Sequence, residues 1–254
     1  MPRIETWRLV INEGDVYWCM ALDEAILEAR LRNLVPNTLR LYVINPSAVT
    51  VGYFQKISDA INLEYLTKHS IPFTRRITGG GSVYHDANGE ITYSLIADTN
   101  FLPRDIQKCY EFICQSLIEA LSLLHVKAVF MPVNDIVVNS RKISGSAQIR
   151  RGNVVLQHGT LMYNTDLNVL ARALKVPIQK LASHGISSIK DRVTTVSLEV
   201  GKRVLKSEVV KALIEGFKKV LKVEFEKSEP TSEEVSLARQ LAMKYKSRDW
   251  IFKR

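Results

Sequence analysis

Cysteine is scarce in this chain, which excludes two common structural devices. Only three cysteines occur among 254 residues, at positions 19, 109 and 114, and no two of them form a Cys-x-x-Cys pair. An odd number without that spacing argues against a disulfide framework and against a zinc site. Cys114 falls on the apolar face of a predicted helix, so we expect it to be a small core residue.

Long apolar runs are also missing. No run approaches the roughly 18 residues that span a bilayer, and residues 1–5 lack the apolar stretch of a secretory signal. We therefore expect a cytoplasmic protein without membrane association. Internal repeats, low-complexity tracts and long linkers are absent too, which predicts a single domain over residues 1–254.

Acidic residues are outnumbered by basic ones, giving a formal net charge of +9. Such a surplus indicates an acidic partner, which could be a nucleotide, a protein or a nucleic acid. A non-enzymatic nucleic-acid-binding module is therefore one alternative. Such modules interleave aromatic and basic residues on one surface, whereas the aromatics here fall mostly at core-like positions, so we expect no nucleic-acid partner.

Hydrophobic periodicity predicts strands in the middle of the chain with helices before, between and after them. The predicted strands cover residues 7–11, 39–44, 73–77, 83–85, 91–97, 134–138, 142–150 and 154–163. The predicted helices cover residues 17–32, 58–69, 103–124, 166–174, 207–221 and 232–245. Asn88-Gly89 is a hairpin signal. The expected fold class is α+β, with a mixed, largely antiparallel central sheet flanked by helices.

The most informative motif is a run of three glycines, Gly79, Gly80 and Gly81, directly after two arginines, Arg75 and Arg76. Consecutive glycines are costly to order, and their bare N–H groups can form a concave anion site. Either arginine can add a planar donor fork for a phosphate or carboxylate. The alternative is a flexible loop beside two solvated arginines.

Two further motifs carry polar residues in a β-rich context. The first contains Asn134 and Asp135, then Lys142 just before Ser-Gly-Ser, then His158 followed by Gly-Thr-Leu. Lys142 has small polar neighbours, so its ammonium is expected over a site, although a lone hairpin lysine is commonly only a surface charge. The second is a loop at residues 185–194 with an apolar centre and a charged rim.

Taken together, these motifs resemble the lipoate-protein ligase A family, and so do residues 20–24 in the first helix. The resemblance covers nearly the whole chain and implies a biotin/lipoate-ligase catalytic domain without the accessory domain of longer members. It implies an AMP-forming ligase that activates lipoate with ATP and Mg²⁺ to lipoyl-AMP, without a tightly bound cofactor. The lipoyl group would then pass to a lysine of lipoyl acceptor domains, either E2 subunits or glycine cleavage H protein.

The resemblance also implies the site residues. Lys142 is the catalytic residue, since its cation would bridge the carboxylate and the α-phosphate, and Asp135 is a candidate Mg²⁺ ligand. Substrate would be bound by Arg76, Gly79, Gly80, Gly81, Ser82, Val83, His85, Asn134, Asp135, Lys142, Ser146, Ala147, His158, Gly159, Thr160, Leu161, Gly185 and Ile186. Val83, Leu161 and Ile186 are the expected apolar walls.

Two alternatives concern the reaction and its partners. Relatives in the same superfamily transfer octanoyl or lipoyl groups through a cysteine thioester, but no cysteine of this chain falls in a motif loop, which favours the ligase. In members that resemble this chain, the accessory domain is a separate polypeptide. We therefore expect adenylation to need a second protein, and the loop at residues 182–193 to order on binding.

Overall fold

The computed structural model describes residues 5–175 and 189–253. The strands, in chain order, are β1 (Thr6–Gly14), β2 (Thr38–Ile44), β3 (Ala48–Val51), β4 (Phe73–Arg75), β5 (Val83–His85), β6 (Glu90–Asp98), β7 (Val129–Met131), β8 (Asp135–Val138), β9 (Arg141–Arg151), β10 (Val154–Met162) and β11 (Glu224–Lys227). The α-helices are α1 (Val16–Leu31), α2 (Ile57–Ala60), α3 (Leu63–Lys68), α4 (Ile106–Leu123), α5 (Leu167–Ala173), α6 (Val196–Val200), α7 (Lys206–Leu221), α8 (Ser232–Lys246) and α9 (Arg248–Ile251). Short 3₁₀ turns cover Thr99–Phe101 and Ile189–Arg192.

One large sheet forms the centre of the fold, with the strand order β11-β1-β2-β6-β10-β9-β8-β7. Its parallel pairings are β11 with β1 and β1 with β2, and the remaining neighbours are antiparallel. A small second sheet has the order β4-β3-β5. The expected α+β class with a largely antiparallel mixed sheet is confirmed.

Helices cover both faces of the large sheet. Buried residues of α4 and α7 share one core with the strands, and buried residues of α1 and α8 share a second core on the other face. Helices α4 and α7 approach closely because Gly216 has no side chain: a Cβ there would lie 2.3 Å from the Ser116 carbonyl oxygen. The candidate site lies at the ends of β8, β9 and β10.

Several local predictions need correction. The helix expected at residues 58–69 is two short helices, because Ile61 bridges to Leu174 and the Asn62 side chain caps α3. The Asn88-Gly89 turn joins the two sheets instead of forming a hairpin, since β5 pairs with β3 and β6 pairs with β2 and β10. Pro103 precedes α4, which Asp105 caps. Among the described residues, no helix has the length and hydrophobicity to cross a membrane.

Candidate active site

The site is built on one face of β8, β9 and β10. Asp135 lies opposite Gly145, Gly145 lies opposite Thr160, and Ala147 lies opposite His158 in the strand registers. Directly paired residues share a face of a sheet, and so do residues two apart along a strand. The sequence-predicted residues Asp135, Ala147, His158 and Thr160 are therefore brought together on this face, beneath the glycine loop.

The glycine loop, residues Gly79 to Gly81, packs closely onto its neighbours. Gly80 has φ +89°, which favours glycine, and a Cβ there would contact Ala147 at 3.8 Å. On the other side, a Cβ on Gly52 would meet the Gly80 carbonyl oxygen at 2.0 Å. The loop is thus held between β9 and the end of β3, and a flexible, unattached loop is not what the chain forms.

Both arginines before the loop point into the protein, contrary to the expectation that they hold an anion. Arg75 is fully buried and donates to backbone carbonyl oxygens of residues 52, 53, 55, 250 and 251. Arg76 donates to the carbonyl oxygens of Gly79 at 2.6 Å and Gly81 at 2.7 Å. Burial lowers the pKa of Arg76 to about 10, so it stays protonated at neutral pH. Arg76 therefore fixes the shape of the loop.

Lys142 and Asp135 form the accessible ion pair of the site. Lys142 Nζ lies 2.5 Å from Asp135 Oδ1, and 39% of the lysine side chain and 32% of the aspartate side chain are exposed. The carboxylate oxygen accepts no well-directed hydrogen bond, so the contact is mainly electrostatic. This arrangement leaves both charged groups within reach of a substrate.

Gly145 makes room for this pair. A Cβ at position 145 would lie 2.5 Å from Lys142 Cε and Nζ and 3.3 Å from Asp135 Oδ1. Because those lysine atoms are the flexible end of a side chain, Gly145→Ala should displace the ammonium while the strand stays in place. Displacing a catalytic group by about 1 Å can cost up to about 10²-fold in rate.

We therefore expect Gly145→Ala to reduce the catalytic activity of this site up to about 10²-fold with little change in thermal stability, measured by turnover assays and thermal unfolding. Lys219→Ala is the control, because Lys219 lies on α7, outside the site, and its side chain is 70% exposed. Equal activity of Gly145→Ala and Lys219→Ala would contradict the importance of the Lys142 position.

A buried chain of polar groups supports the glycine loop from below. His158 Nδ1 lies 3.0 Å from Asp23 Oδ2, and His158 Nε2 lies 2.7 Å from Thr78 Oγ1. The Arg76 Nε–H in turn donates to Thr78 Oγ1 at 3.0 Å. Asp23 also accepts from Arg40 at 2.6 Å. The chain connects helix α1 to the arginine that shapes the loop.

The protonation states in this chain follow from its surroundings. Burial would raise the pKa of Asp23, but the Arg40 charge and the His158 hydrogen bond outweigh burial and lower it. Burial lowers the pKa of His158, although the hydrogen bond that His158 donates to Asp23 opposes this. His158 is therefore neutral at pH 7, and the network assigns its proton to Nδ1, which leaves Nε2 to accept from the Thr78 hydroxyl.

His85 forms a parallel branch of the same network. Its Nε2 lies 3.0 Å from Thr50 Oγ1, and its Nδ1 lies 3.2 Å from Glu90 Oε2. Burial raises the pKa of Glu90, and the hydrogen bond to His85 opposes that shift. His85 is thus buried beside the site and holds β5 against β3 and β6.

The lowered pKa of His158 predicts a stability loss in mild acid. The unfolded chain binds a proton near the ordinary value of 6.5, whereas the folded chain binds it only at lower pH. Protons therefore favour the unfolded state between those two values, and the free energy of unfolding falls as the pH drops below about 6.5.

Chemical denaturation at about pH 7.5 and about pH 5.5 measures this effect. We expect a smaller pH-dependent change in His158→Gln than in the original chain, because glutamine does not titrate. Glu90 titrates in both proteins. The difference between their pH-dependent changes in unfolding free energy therefore reports the contribution of His158. Identical pH dependence in the two proteins would show that His158 is not the titrating group.

Three predicted site residues face the opposite side of the sheet. Ser146 is buried, and its hydroxyl lies 2.8 Å from Tyr93 OH. A Cβ on Gly159 would lie 2.8 Å from the Ser146 hydroxyl oxygen and 2.8 Å from the Tyr93 ring. Leu161 belongs to the core shared with α4 and α7. These residues shape the sheet beneath the site, and Leu161 does not form the apolar wall expected for it.

The remaining predicted residues hold the backbone around the site. Asn134 donates through Nδ2 to the Ser146 carbonyl oxygen at 2.5 Å, which fixes the start of β8 against β9. The Ser82 hydroxyl donates to the Ala60 carbonyl oxygen at 2.9 Å, and Val83 begins β5 half-buried. Gly185 and Ile186, with most of the loop expected to order on binding, lie outside the described residues.

All three cysteines lie within the described part of the chain, and each is fully buried. Burial raises the pKa of Cys109, and it raises the pKa of both Cys19 and Cys114 to about 12. The expectation that Cys114 is a small core residue is confirmed.

Asp23 is a buried network residue to which the sequence analysis gave no role. Its signal was an acidic pair, Asp23-Glu24, between the apolar residues 16–22 and 25–27 of α1.

Comparison with known proteins places this geometry in context. Residues 15–218 match the family model of the lipoyl protein ligase A/B catalytic domain. The octanoyltransferases LipM of Anoxybacillus flavithermus and Bacillus subtilis are each 32% identical over 98% of this chain and 99% of their own length. A bi-partite lipoate protein ligase from Thermoplasma acidophilum, which was studied together with its E2 lipoyl domain, is 31% identical, with a TM-score of 0.85 over 98% of this chain and 96% of that one.

These relatives correct the expected reaction. The expected ATP-dependent, AMP-forming ligase is wrong, because curated relatives that match over nearly the whole chain are octanoyltransferases. ATP, Mg²⁺, lipoate and lipoyl-AMP are withdrawn with it, and so is the role of Asp135 as a Mg²⁺ ligand. Within residues 5–175 and 189–253, no group of three or more His, Cys, Asp and Glu side chains is arranged to hold a metal ion. The fold and family expected from the motifs are confirmed.

Proposed function

Because the chain belongs to the lipoyl protein ligase A/B catalytic domain family, we propose that it is an octanoyltransferase that acts on lipoyl acceptor domains. It moves an octanoyl group from a thioester donor to the ε-amine of a lysine on the acceptor. The observation that carries the proposal is the similarity to curated octanoyltransferases over nearly the full length of both chains.

We assign Lys142 the role of stabilising the carbonyl oxygen of the donor thioester. When an amine attacks a thioester, negative charge develops on the carbonyl oxygen, and a preorganised donor lowers the barrier most at that point. Lys142 supplies a cation that is already oriented by Asp135 at 2.5 Å and is open to solvent. No nucleotide is required for this step, because the thioester is already activated.

The octanoyl chain needs apolar room next to the carbonyl. Gly145, Ala147 and Ile149 follow one face of β9 away from Lys142, and Ile149 lines a cavity of about 400 Å³ beside Gly79. Phe54 and Ile77 also line this cavity, together with Gln148, Arg151 and Lys244. A volume of this size suits a small ligand, so the cavity supports binding of the acyl tail along β9.

The acceptor is proposed to be the lipoyl domain of an E2 subunit or glycine cleavage H protein. The Thermoplasma acidophilum relative is a lipoate protein ligase that was studied together with its own E2 lipoyl domain. The surplus of basic residues in this chain gives a net charge of +9, which would speed encounter with an acidic domain. The accessory polypeptide was expected only for adenylation, and octanoyl transfer from a thioester does not involve it.

Intact-mass spectrometry of an apo lipoyl domain tests the proposed function. The domain is incubated with the purified chain and an octanoyl thioester of acyl carrier protein, without ATP. We expect a mass increase of one octanoyl group at a single lysine, and no increase when that lysine is replaced by arginine. An unmodified domain would contradict the proposal.

A further inference from the structure

We infer that Arg75 and Trp250 are positioning residues, which together hold the glycine loop in its place over the site. Trp250 lies in helix α9, far from the loop in the sequence. The inference goes beyond the proposed function, because it concerns how the chain keeps the loop in position and not which bonds are exchanged. Its kinetic test rests on the proposed function, whereas its first test does not.

The turn at residues 52–55 is the outer support of the glycine loop. The Tyr53 N–H donates to the Thr78 carbonyl oxygen at 2.8 Å, directly before the loop. Gly52 is so close to the loop that a Cβ there would lie 2.0 Å from the Gly80 carbonyl oxygen. A shift of this turn must therefore move the loop.

The Arg75 guanidinium joins this turn to helix α9. Its Nη1 donates to three carbonyl oxygens of the turn, at 2.7 to 2.9 Å. Its Nη2 donates to the Ile251 carbonyl oxygen at 2.9 Å, at the end of α9, where carbonyl groups have no partner within the helix. One planar group with donors on two sides therefore fixes the end of α9 against the turn that supports the glycine loop.

Trp250 holds the backbone of Arg75 in return. Its indole N–H donates to the Arg75 carbonyl oxygen at 2.7 Å, and its ring packs against the Tyr53 ring with the centroids 5.8 Å apart. Lys253, which follows α9, adds another contact, because its ammonium donates to the Tyr53 hydroxyl at 2.8 Å. Residues 250–253, the turn and the end of β4 are thus one packed unit, and β4 leads into the glycine loop.

Loosening this unit should weaken donor binding more than it slows the chemical step. The Lys142–Asp135 pair is carried by β8 and β9, whereas Gly79 of the glycine loop lines the cavity assigned to the acyl tail. A displaced loop holds the tail less well, which raises the donor KM and leaves kcat nearly unchanged. A general loss of folded protein would instead lower the apparent kcat and leave KM unchanged.

Hydrogen exchange of the chain without substrate is the first test. Trp250→Phe keeps an aromatic ring but lacks the indole N–H. Trp7→Phe is the matched control, because it removes another indole N–H of a buried tryptophan, which donates to Glu5 at 3.1 Å on the distant strand β1. Exchange of the peptide that covers residues 76–85, measured by mass spectrometry, should be about 10-fold faster in Trp250→Phe and unchanged in Trp7→Phe.

Steady-state kinetics with the octanoyl thioester of acyl carrier protein as the varied substrate is the second test. Trp250→Phe should raise the donor KM about 10-fold and change kcat less than about 3-fold. Trp250 also lines the cavity, so a direct contact with the tail would change KM as well. Arg75 lies outside the cavity lining, and Arg75→Lys should therefore raise the donor KM only if the unit positions the loop.

Equal exchange of residues 76–85 in Trp250→Phe and Trp7→Phe would overturn the inference. An unchanged donor KM in Trp250→Phe, or in a folded Arg75→Lys variant, would overturn it too, as would a lower kcat at unchanged KM. Absence of octanoyl transfer by the original chain would refute the proposed function, and the exchange measurement would still decide the inference.

Discussion

Lys142→Ala is expected to reduce octanoyl transfer about 10²–10³-fold, because it removes the donor that meets the developing charge on the carbonyl oxygen. The fold should persist, since the Lys142 side chain is 39% exposed and its partner Asp135 is 32% exposed. An exposed ion pair contributes only about 0–1 kcal/mol to stability. Initial rates and thermal unfolding, measured on the same samples, separate the two effects.

Lys219→Ala provides the control for this variant. Lys219 also forms an ion pair, with Glu119 at 2.6 Å, but its side chain is 70% exposed and lies on α7, outside the site. It should retain full activity. A folded Lys142→Ala variant with near-normal transfer would remove Lys142 from the mechanism.

The largest expected loss of stability comes from Asp23→Ala, which should lower the free energy of unfolding by about 3–5 kcal/mol. Asp23 is 1% exposed and is the partner of the fully buried Arg40, at 2.6 Å. Removing it leaves the guanidinium buried without a counter-charge. The substitution also takes away the hydrogen-bond partner of Ser94 and His158.

Denaturant-induced unfolding measures this loss, with Glu28→Ala as the comparison. Glu28 also pairs with an arginine, Arg151 at 2.5 Å, but both side chains are about one-third exposed, so its removal should cost at most about 1 kcal/mol. If Asp23→Ala were no more destabilising than Glu28→Ala, the buried network would not hold the core together.

Elements with a long and regular hydrophobic pattern were predictable from the sequence. Helices α1, α4, α7 and α8 and strands β6, β9 and β10 lie close to their expected bounds. Strands β3, β7 and β11 were not predicted as separate strands, because each is only three or four residues long and lies outside the motifs that marked the equally short β4, β5 and β8. Segments so short are defined by the neighbour with which they pair, and that neighbour is distant in sequence.

The glycine loop and the neighbourhood of Lys142 were predictable as a site, but the direction of charged side chains was not. A sequence shows that Arg75 and Arg76 are charged without showing where their partners are. The carbonyl oxygens that bind Arg75 come from residues 52–55 and 250–251. Those segments meet only in the folded chain, so the sequence could not show that both arginines bind backbone carbonyl oxygens.

The reaction could not be inferred from the motifs alone. A fixed cation over a glycine loop stabilises negative charge both in adenylation of a carboxylate and in attack on a thioester. The motif residues are therefore compatible with either reaction. The lack of a cysteine in the motif loops favoured the ligase only under the assumption that an octanoyltransferase needs a thiol.

The account depends most on where the substrate carbonyl binds. A crystal structure of the chain with a non-hydrolysable octanoyl thioester analogue measures this position directly. We expect the carbonyl oxygen within hydrogen-bond distance of Lys142 Nζ, above Gly145, with the acyl tail along Ala147 and Ile149. An analogue bound elsewhere, with Lys142 still in contact with Asp135 alone, would contradict the account.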